Sequence, residues 1–409
     1  MAETKKISLV CRECGAEYPA TKRHICDECF APLDVKYELK TQISKDIFCN
    51  REKTLWRYFE LLPILDKSKI VDLGAGYTPL IKSERLAEQL GLKRLYIKND
   101  TINPTNSFKD RPSSVAVSKA LELGLDRIGC VSTGNLAAAL AAHARKAGLT
   151  CYIFVPKDLE QNKIAQISVY DPEIIVIDGT YDDANRIATQ VADNYGLAFA
   201  NVDIRPYYVE GSKTLVLEVC EQLGWSPPDH VIVPAASGAL YCATAKGLEE
   251  LERLGLIPSA EVNVSIAQPC GCSPIVDAFK SNRGDILPVD NPLTVAKSLA
   301  VGMPADGVYV LRKLRDLNGM AEDVTDQEII NAIKLLAKTE GVFAEPAGGV
   351  TVAALKKFID SGKIAPDETV VCYITGSGLK TPELVTPDIK NLKPMAPTFE
   401  SLKSVIGGF

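Results

Sequence analysis

Short apolar runs alternate with longer amphipathic segments from about residue 93 onward. The runs are rich in β-branched residues, which predicts buried strands. The predicted strands are Arg94–Lys98, Arg127–Val131, Cys151–Pro156, Glu173–Asp178, His230–Pro234, Val262–Ala267 and Thr369–Thr375. The amphipathic segments predict helices over Leu136–Ala147, Asp182–Tyr195, Gly211–Leu223, Leu240–Leu254 and Asp326–Thr339, the last opened by a Thr325-x-x-Glu328 capping box. This alternation indicates an α/β fold class with open, largely parallel sheets flanked by helices.

The N-terminal residues follow a different pattern, in which two C-x2-C pairs are separated by eleven residues. Each pair can form a knuckle that presents two thiolates to one tetrahedral ion, so the spacing predicts a zinc site. Its ligands would be Cys11, Cys14, Cys26 and Cys29. Four thiolates leave no open coordination position, and a bound zinc ion would therefore be structural. A vestigial ribbon or four surface thiols would give the same spacing.

The composition narrows the class of protein. The 409 residues include 46 Lys and Arg against 52 Asp and Glu, so the net charge is −6 and no polyanion-binding surface is indicated. Only three His are present, which disfavours a histidine-rich metalloenzyme. No stretch reaches the roughly 20 strongly apolar residues of a membrane span, and the start lacks the apolar core of a signal peptide. We expect a cytoplasmic protein of two or three domains, with reduced cysteines, that binds neither nucleic acid nor membrane.

One lysine stands in a context that could carry chemistry. Asn103–Pro112 is rich in turn-forming residues and leads into a helix for which Asp110 is a reasonable N-cap. Lys109 would then lie beside a helix N-terminus, whose positive end favours the neutral amine that Schiff-base chemistry requires. Taken alone, a lysine at a helix start is nearly always a solvated surface residue.

Three turns of small or polar residues follow predicted strands. They are Ser132–Asn135, Ala235–Leu240 and Thr375–Gly378. A strand, a tight turn and a helix N-terminus together direct several backbone N–H groups at one point, which suits an anion. Ligands of open α/β sheets collect at the carboxyl ends of strands, so we expect these turns to line one crevice.

The motifs NPTNSFKDR, STGN and TGSGLKT, with the small-residue turn between the last two, resemble the pyridoxal-phosphate enzymes of the tryptophan synthase β family, of fold type II, and within it the threonine synthases. The similarity extends from about Gly74 to Pro382 and includes DIRPYYVEGSKT, AKSLAVGMPADG and AEPAGGVTVAAL. SFKDR and STGN at this spacing are specific together, whereas each alone would not be. Some bacterial threonine synthases also begin with a cysteine-rich ribbon.

The resemblance implies roles for individual residues. Lys109 would hold the cofactor in a Schiff base and move protons, and Phe108 would border the cofactor ring. Asn135 would hydrogen-bond the phenolic oxygen, and Thr375 would face the pyridine nitrogen. The cofactor phosphate would be bound by backbone N–H groups of Ala236, Ser237, Gly238, Ala239 and Leu240. The substrate carboxylate would be held by Ser132, Thr133 and Gly134.

The implied reaction converts O-phospho-L-homoserine and water to L-threonine and phosphate. A second anion site must hold the leaving phosphate, and Arg205, Ser107 and Lys213 are the candidates. Here the chain departs from the better-known pattern NPxR-x-EG, because Tyr208 stands where an arginine is expected.

The resemblance also implies a domain plan and a homodimer. We expect a ribbon-like segment in residues 1–50, a large cofactor-binding lobe in 51–112 and 200–383, a small α/β lobe in 113–199, and a proline-rich, aperiodic tail in 384–409. The ribbon is expected to support the enzyme without touching its chemistry.

Two other functions fit the same motifs. One is a related enzyme of the family, such as cysteate synthase or a threonine/serine dehydratase, which would share Lys109 and the cofactor contacts. The other is an inactive scaffold that carries a zinc-ribbon binding module, although the ribbon's basic residues are balanced by acidic ones.

Overall fold

The computed structural model describes residues 5–406 except 133, 158, 180, 196, 260 and 387–393. The strands are β1 Lys5–Cys11, β2 Glu17–Pro19, β3 Leu33–Leu39, β4 Leu80–Lys82, β5 Arg94–Asn99, β6 Arg127–Val131, β7 Thr150–Pro156, β8 Glu173–Ile177, β9 Ala198–Phe199, β10 His230–Pro234, β11 Asn263–Pro269, β12 Ala321–Val324 and β13 Thr369–Ile374. The helices are α1 Asp46–Cys49, α2 Glu84–Leu90, α3 Asp110–Glu122, α4 Asn135–Ala147, α5 Gln161–Ser168, α6 Tyr181–Tyr195, α7 Arg205–Ser212, α8 Thr214–Gln222, α9 Ala239–Arg253, α10 Pro274–Lys280, α11 Gly307–Asp316, α12 Asp326–Glu340, α13 Pro346–Asp360 and α14 Phe399–Ile406.

The larger sheet has six strands in the order β12-β11-β10-β13-β5-β4. All neighbours are parallel except the edge pair, in which β4 runs antiparallel to β5. The central strands β10, β11 and β13 are apolar on both faces because helices cover both, α13 on one side and α8 and α9 on the other. We call this sheet and its helices the large lobe.

The smaller sheet has four parallel strands in the order β8-β7-β6-β9. All four come from the segment between β5 and β10, so the chain leaves the large lobe after β5, builds this small lobe and returns. Helix α4 covers one face of the small sheet, and its His143 is fully buried, with Nδ1 2.8 Å from the Ala139 carbonyl oxygen. The prediction of α/β architecture with two parallel-sheet lobes is confirmed.

The N-terminal segment forms a three-stranded antiparallel sheet in the order β2-β1-β3. Its buried side chains, among them Leu9, Leu33 and Val35, join one apolar cluster with residues of α4 and α7. Strand β3 packs against α7. The ribbon is therefore part of the molecule's core and is not a separate module on a linker.

The predicted helix over Gly211–Leu223 was wrong in its extent, because two helices, α7 and α8, meet at Lys213. Helix α7 starts earlier, with Pro206 in its first turn. A Cβ on Gly211 would lie 2.6 Å from the Cα of Pro112, so the glycine lets α7 pack closely against the start of α3.

Two further expectations needed correction, and one was confirmed. The tail is not aperiodic throughout, because 399–406 form helix α14. Asp110 is the first residue of α3, whose N-cap is Lys109. The capping box of α12, in which Thr325 and Glu328 bind each other's backbone N–H, is present as predicted.

Among the residues that the structure describes, none of the helices is long and apolar enough to cross a membrane.

Candidate active site

A cavity of about 350 Å³ lies between the lobes, where the three predicted turns meet. Strands β6, β10 and β13 each end at its wall, and α3, α4 and α9 begin there. Parallel strands bring their carboxyl ends to the same edge of a sheet, which explains why the turns after β10 and β13 meet. The turn after β6 comes from the small sheet, whose own carboxyl edge faces the same cavity. The expectation of a common crevice is therefore met.

Lys109 is the lysine on this wall. Its Nζ lies 3.0 Å from the hydroxyl oxygen of Tyr208 and 4.6 Å from the centre of the Phe108 ring. Burial, and secondarily the charge of Arg205, lowers the pKa of Lys109 to about 8. About a tenth of the amine is then neutral at pH 7, against about 0.03% for a lysine of ordinary pKa. The side chain is set up as a nucleophile and a base.

Buried ion pairs fix the turn that carries Lys109. Arg111, two residues on, is fully buried, with Nε 2.6 Å from an oxygen of Asp100 and Nη2 2.8 Å from one of Glu218. Glu218 also binds Lys98 at 2.6 Å, and the two cations hold its pKa at about 2. The turn is thereby tied to the end of β5 and to α8.

Backbone contacts tie the same turn to the end of β13. The Phe108 N–H donates to the Thr375 carbonyl at 2.8 Å, and Ser107 forms a bridge with Gly376. Asp110, which does not cap the helix, accepts 2.8 and 3.0 Å hydrogen bonds from the Thr105 N–H and hydroxyl.

Asn135, the first residue of α4, is hydrogen-bonded to Glu345, the N-cap residue of α13. Its Nδ2 donates to the two carboxylate oxygens of Glu345 at 2.8 and 3.0 Å. The Oδ1 atom is buried and has no hydrogen-bond partner among the described residues. A Cβ on Gly376 would collide with the Glu345 carboxylate, so this glycine makes room for the pair.

The N-terminus of α9 forms another part of the wall, lined by Ala236, Ser237, Gly238, Ala239 and Leu240. Gly238 adopts φ +94°, and a Cβ there would lie 2.6 Å from Val310 Cγ2. The first N–H groups of a helix have no acceptor within it, and the helix dipole favours an anion there. Small side chains keep this end of α9 open. Thr375, 2% exposed, lines the same cavity.

Arg205 brings a second positive charge to the cavity wall. Its guanidinium forms an ion pair with Asp306, which is 1% exposed and also receives Arg12 Nη1 at 2.8 Å. Arg12 belongs to the N-terminal ribbon, and so does His24, which lines the cavity itself. The ribbon therefore reaches the wall of the cavity, in addition to the supporting role that was expected of it.

The remaining predicted site residues are placed as follows. Ser132 lines the cavity and accepts hydrogen bonds from the Gly134 and Ala137 N–H groups, both at 3.0 Å. Gly134 adopts φ +119°, packs under the stem of Lys163 and is not on the cavity wall. Ser107 is fully buried behind the wall. Thr133 lies outside the described residues.

Lys213 does not belong to the cavity. It is fully buried between Glu210 and Glu250, and its ammonium lies 2.7 Å from Glu250. Its charge is neutralised by these carboxylates at the junction of α7 and α8, so it has none to offer a substrate phosphate.

Comparison with known proteins bears on what the cavity holds. The sequence profile of one family, described as pyridoxal-phosphate dependent enzyme, matches residues 71–376. The chain belongs to this family. The matched range contains every strand of both lobes and ends at the turn after β13.

Relatives within the pyridoxal-phosphate family align over most of the chain. The threonine synthase of Methanocaldococcus jannaschii is 41% identical over 377 residues, covering 91% of this chain and 93% of that protein. The threonine synthase of Methanosarcina acetivorans is 39% identical over 380 residues, 92% and 93% of the two chains. Among solved structures, maize serine racemase has a TM-score of 0.65 at 23% identity, covering 77% of this chain and 92% of its own. That likeness shows the fold alone.

The residues of the cavity fit pyridoxal phosphate. Lys109 offers the amine, and the α9 N-terminus offers unpaired N–H groups for a phosphate. Asn135 Nδ2 carries two hydrogens. The two oxygens of the Glu345 carboxylate lie side by side and can share one of these hydrogens, so the other can be donated to a phenolic oxygen. Thr375 presents a hydroxyl rather than a carboxylate.

The four ribbon cysteines converge. The sulfur atoms of Cys11, Cys14, Cys26 and Cys29 all lie within 4.8 Å of one another, and none is in a disulfide. Four thiolates around a tetrahedral zinc ion at about 2.3 Å would be about 3.8 Å apart. The cluster is compatible with zinc.

Sequence reasoning missed several residues of this site. Glu345 stands in the quoted motif AEPAGGVTVAAL, but its distance in sequence from Asn135 hides the contact between them. Asp306 also stands in a quoted motif, AKSLAVGMPADG, but neither it nor Arg12 was predicted to act at the site, because an acidic residue before a helix and an arginine in a ribbon usually face solvent. Tyr208 was noticed only as a departure from a familiar pattern.

Proposed function

We propose that this chain is a threonine synthase, which converts O-phospho-L-homoserine and water to L-threonine and phosphate. The observation that carries the proposal is one cavity that combines Lys109, the anion-binding start of α9 and a second cation, Arg205. An enzyme whose substrate and cofactor each carry a phosphate requires two anion sites near one lysine. The names of the relatives point the same way.

The cofactor would be held by residues already in place. Lys109 would bind it covalently, and the N–H groups of Ser237 to Leu240 would receive its phosphate. Asn135 would donate to its phenolic oxygen while Glu345 fixes the amide. The Thr375 hydroxyl would face its ring nitrogen. When bound, pyridoxal phosphate serves as an electron sink for charge that develops beside the substrate amine.

Lys109 would carry out the proton transfers, and the side chains around it would orient and shield its amine. A pKa of about 8 makes the Lys109 Nζ a base that can take a proton from a substrate carbon near neutral pH and return it. Tyr208 hydrogen-bonds the amine at 3.0 Å, and burial raises the pKa of its phenol, so it stays neutral and orients Nζ. Phe108 shields the amine from water on another side.

The substrate phosphate would be bound by Arg205. The guanidinium keeps its charge, because the pKa of Arg205 is raised by Asp306 despite burial. A cation at this position stabilises the negative charge that grows on the departing phosphate. Ser132 and its loop would hold the substrate carboxylate.

The test is phosphate release from O-phospho-L-homoserine, compared with release from O-phospho-L-serine, together with threonine formation. We expect turnover of the first substrate only. Lys109→Ala should abolish turnover and the absorbance band of the cofactor's Schiff base, whereas Lys356→Ala, a change at a lysine whose side chain is 57% exposed, should alter neither. Preference for O-phospho-L-serine would instead indicate a β-replacement enzyme and overturn the proposal.

Zinc in the four-cysteine cluster is part of the proposal, supported by the convergence of the sulfurs. A homodimer and a cytoplasmic location, expected from the family resemblance and from the composition, stay predictions.

A further inference from the structure

The ribbon is linked to the cavity wall through one buried carboxylate, Asp306. Asp306 precedes α11, and its N–H donates to the Ser237 carbonyl at 2.9 Å, so it is anchored to the turn that opens α9. One of its carboxylate oxygens receives Arg12 Nη1, and the other receives Arg205 Nη2. The two arginines, one from the ribbon and one from the cavity wall, therefore share one acid.

Arg12 is itself held in place. Its Nη2 lies 2.7 Å from an oxygen of Asp34 on β3, and its guanidinium carbon lies 5.1 Å from the centre of the Tyr309 ring. Only 12% of its side chain is exposed. Arg12 stands between the first two cysteines of the cluster, so the knuckle that they form fixes the position of its backbone.

We propose that Arg12 is a positioning residue for the substrate phosphate, acting through Asp306 on Arg205. The inference rests on the proposed function. Asp306 is bound to both arginines, and Arg12 therefore neutralises part of the negative charge of this carboxylate. Arg205 then keeps a net attraction for an incoming phosphate dianion and a fixed orientation toward the cavity.

Without Arg12, Asp306 would pair with Arg205 alone. The pair would be close to neutral, so Arg205 would attract an incoming anion less strongly. The consequence is weaker phosphate binding with little change at Lys109, whose largest pKa determinant is burial.

The matched variants are Arg12→Gln, Arg12→Lys and Arg312→Gln. Arg312 also links the ribbon to the body of the protein, through Glu13, but at a surface where its side chain is 55% exposed. It neighbours Arg12 across the Tyr309 ring and does not itself bind Asp306. Each holoenzyme is assayed for bound zinc, melting temperature, kcat and KM for O-phospho-L-homoserine, and the affinity for inorganic phosphate by calorimetry.

We expect R12Q to weaken phosphate binding and raise KM by the same factor, on the order of tenfold, with kcat changed by less than about twofold. R12K should restore part of the affinity, and R312Q should match the wild type. In an Asp306→Asn background, adding R12Q should have almost no further effect, because Arg12 acts through that acid.

Equal phosphate affinity of wild type and R12Q, both with zinc bound, would overturn the proposal, and so would a full R12Q effect in the Asp306→Asn background. If R12Q does not fold, the R12K variant and the Asp306→Asn pair decide. Calorimetry with inorganic phosphate needs no turnover. A wild type that binds phosphate through Arg12 but does not convert O-phospho-L-homoserine would therefore refute the proposed function and leave this inference standing.

Discussion

Replacing Lys109 by methionine should make the cofactor-free protein more stable, in a way that depends on pH. The wild type buries an ammonium whose pKa falls from 10.5 to about 8 on folding. Methionine has a similar length and no charge, and therefore removes the cost of desolvating the ammonium. The gain in the free energy of unfolding should be largest at pH values where Lys109 is protonated in both the folded and the unfolded wild type.

The size follows from proton linkage. A lysine with a pKa of about 8 when folded and 10.5 when unfolded destabilises the folded state by at most about 3 kcal/mol at pH 7. Between pH 8 and 10.5 the unfolded chain binds more protons than the folded one, so wild-type stability rises with pH. The advantage of Lys109→Met should shrink to about 2 kcal/mol at pH 9 and to below about 1 kcal/mol at pH 10.

Urea unfolding of both cofactor-free proteins at pH 7, 9 and 10, followed by circular dichroism, measures these differences. Lys356→Met, at an exposed lysine paired with Asp360, serves as the control and should show no such trend. An advantage of Lys109→Met that is the same at all three pH values would refute the reasoning, because the gain would then come from apolar burial alone.

Four further predictions concern other parts of the molecule. Glu218→Gln should lower the free energy of unfolding by about 3–5 kcal/mol, because it removes a buried carboxylate from between Arg111 and Lys98; urea titration measures this, and a loss below about 1 kcal/mol would contradict it. The same carboxylate stabilises the fold above pH 4.5, and its contribution should fade as pH falls toward 2. Gly376→Ala should weaken cofactor binding at least tenfold, because its Cβ collides with Glu345; absorbance titration measures this, and unchanged affinity would show that the pair can move. A strong chelator should lower the melting temperature and make the four ribbon thiols reactive toward a disulfide reagent; thiols that react equally fast beforehand would argue against bound zinc.

The sequence predicted the fold well wherever local pattern determines structure. Every predicted strand is present within about two residues. Most of them are buried on both faces, so the apolar run must match the buried length, and only the edge strand β8 among them is largely accessible. The cysteine cluster and the capping box of α12 follow from spacing alone. The split between α7 and α8 was missed, since it depends on how closely Gly211 approaches α3.

The same distinction applies to the residues of the site: those in recognisable motifs were predicted, and those placed by tertiary packing were not. Lys109, Asn135 and the turn before α9 stand in motifs that a reader of sequence can find, and all three line the cavity. Arg205 and Lys213 are both cationic and close in sequence, yet of the two only Arg205 lines it. Which of two such residues meets a cavity and which meets buried carboxylates depends on tertiary packing, and no local pattern records that choice.

The order of strands in the large sheet has a consequence for synthesis of the chain. Strand β5 pairs with β13, about 270 residues later, and with β4 on its other side. At ribosomal speeds of roughly 5–20 residues per second, β4 and β5 wait for tens of seconds before their partner exists. The small lobe is one continuous segment and can fold during that interval. The last strand to emerge then closes the large sheet and also delivers Thr375 and the turn that anchors Lys109. A nascent chain stalled before β13 would therefore hold a folded small lobe beside an unpaired sheet edge, and cofactor capture must be one of the final events of synthesis.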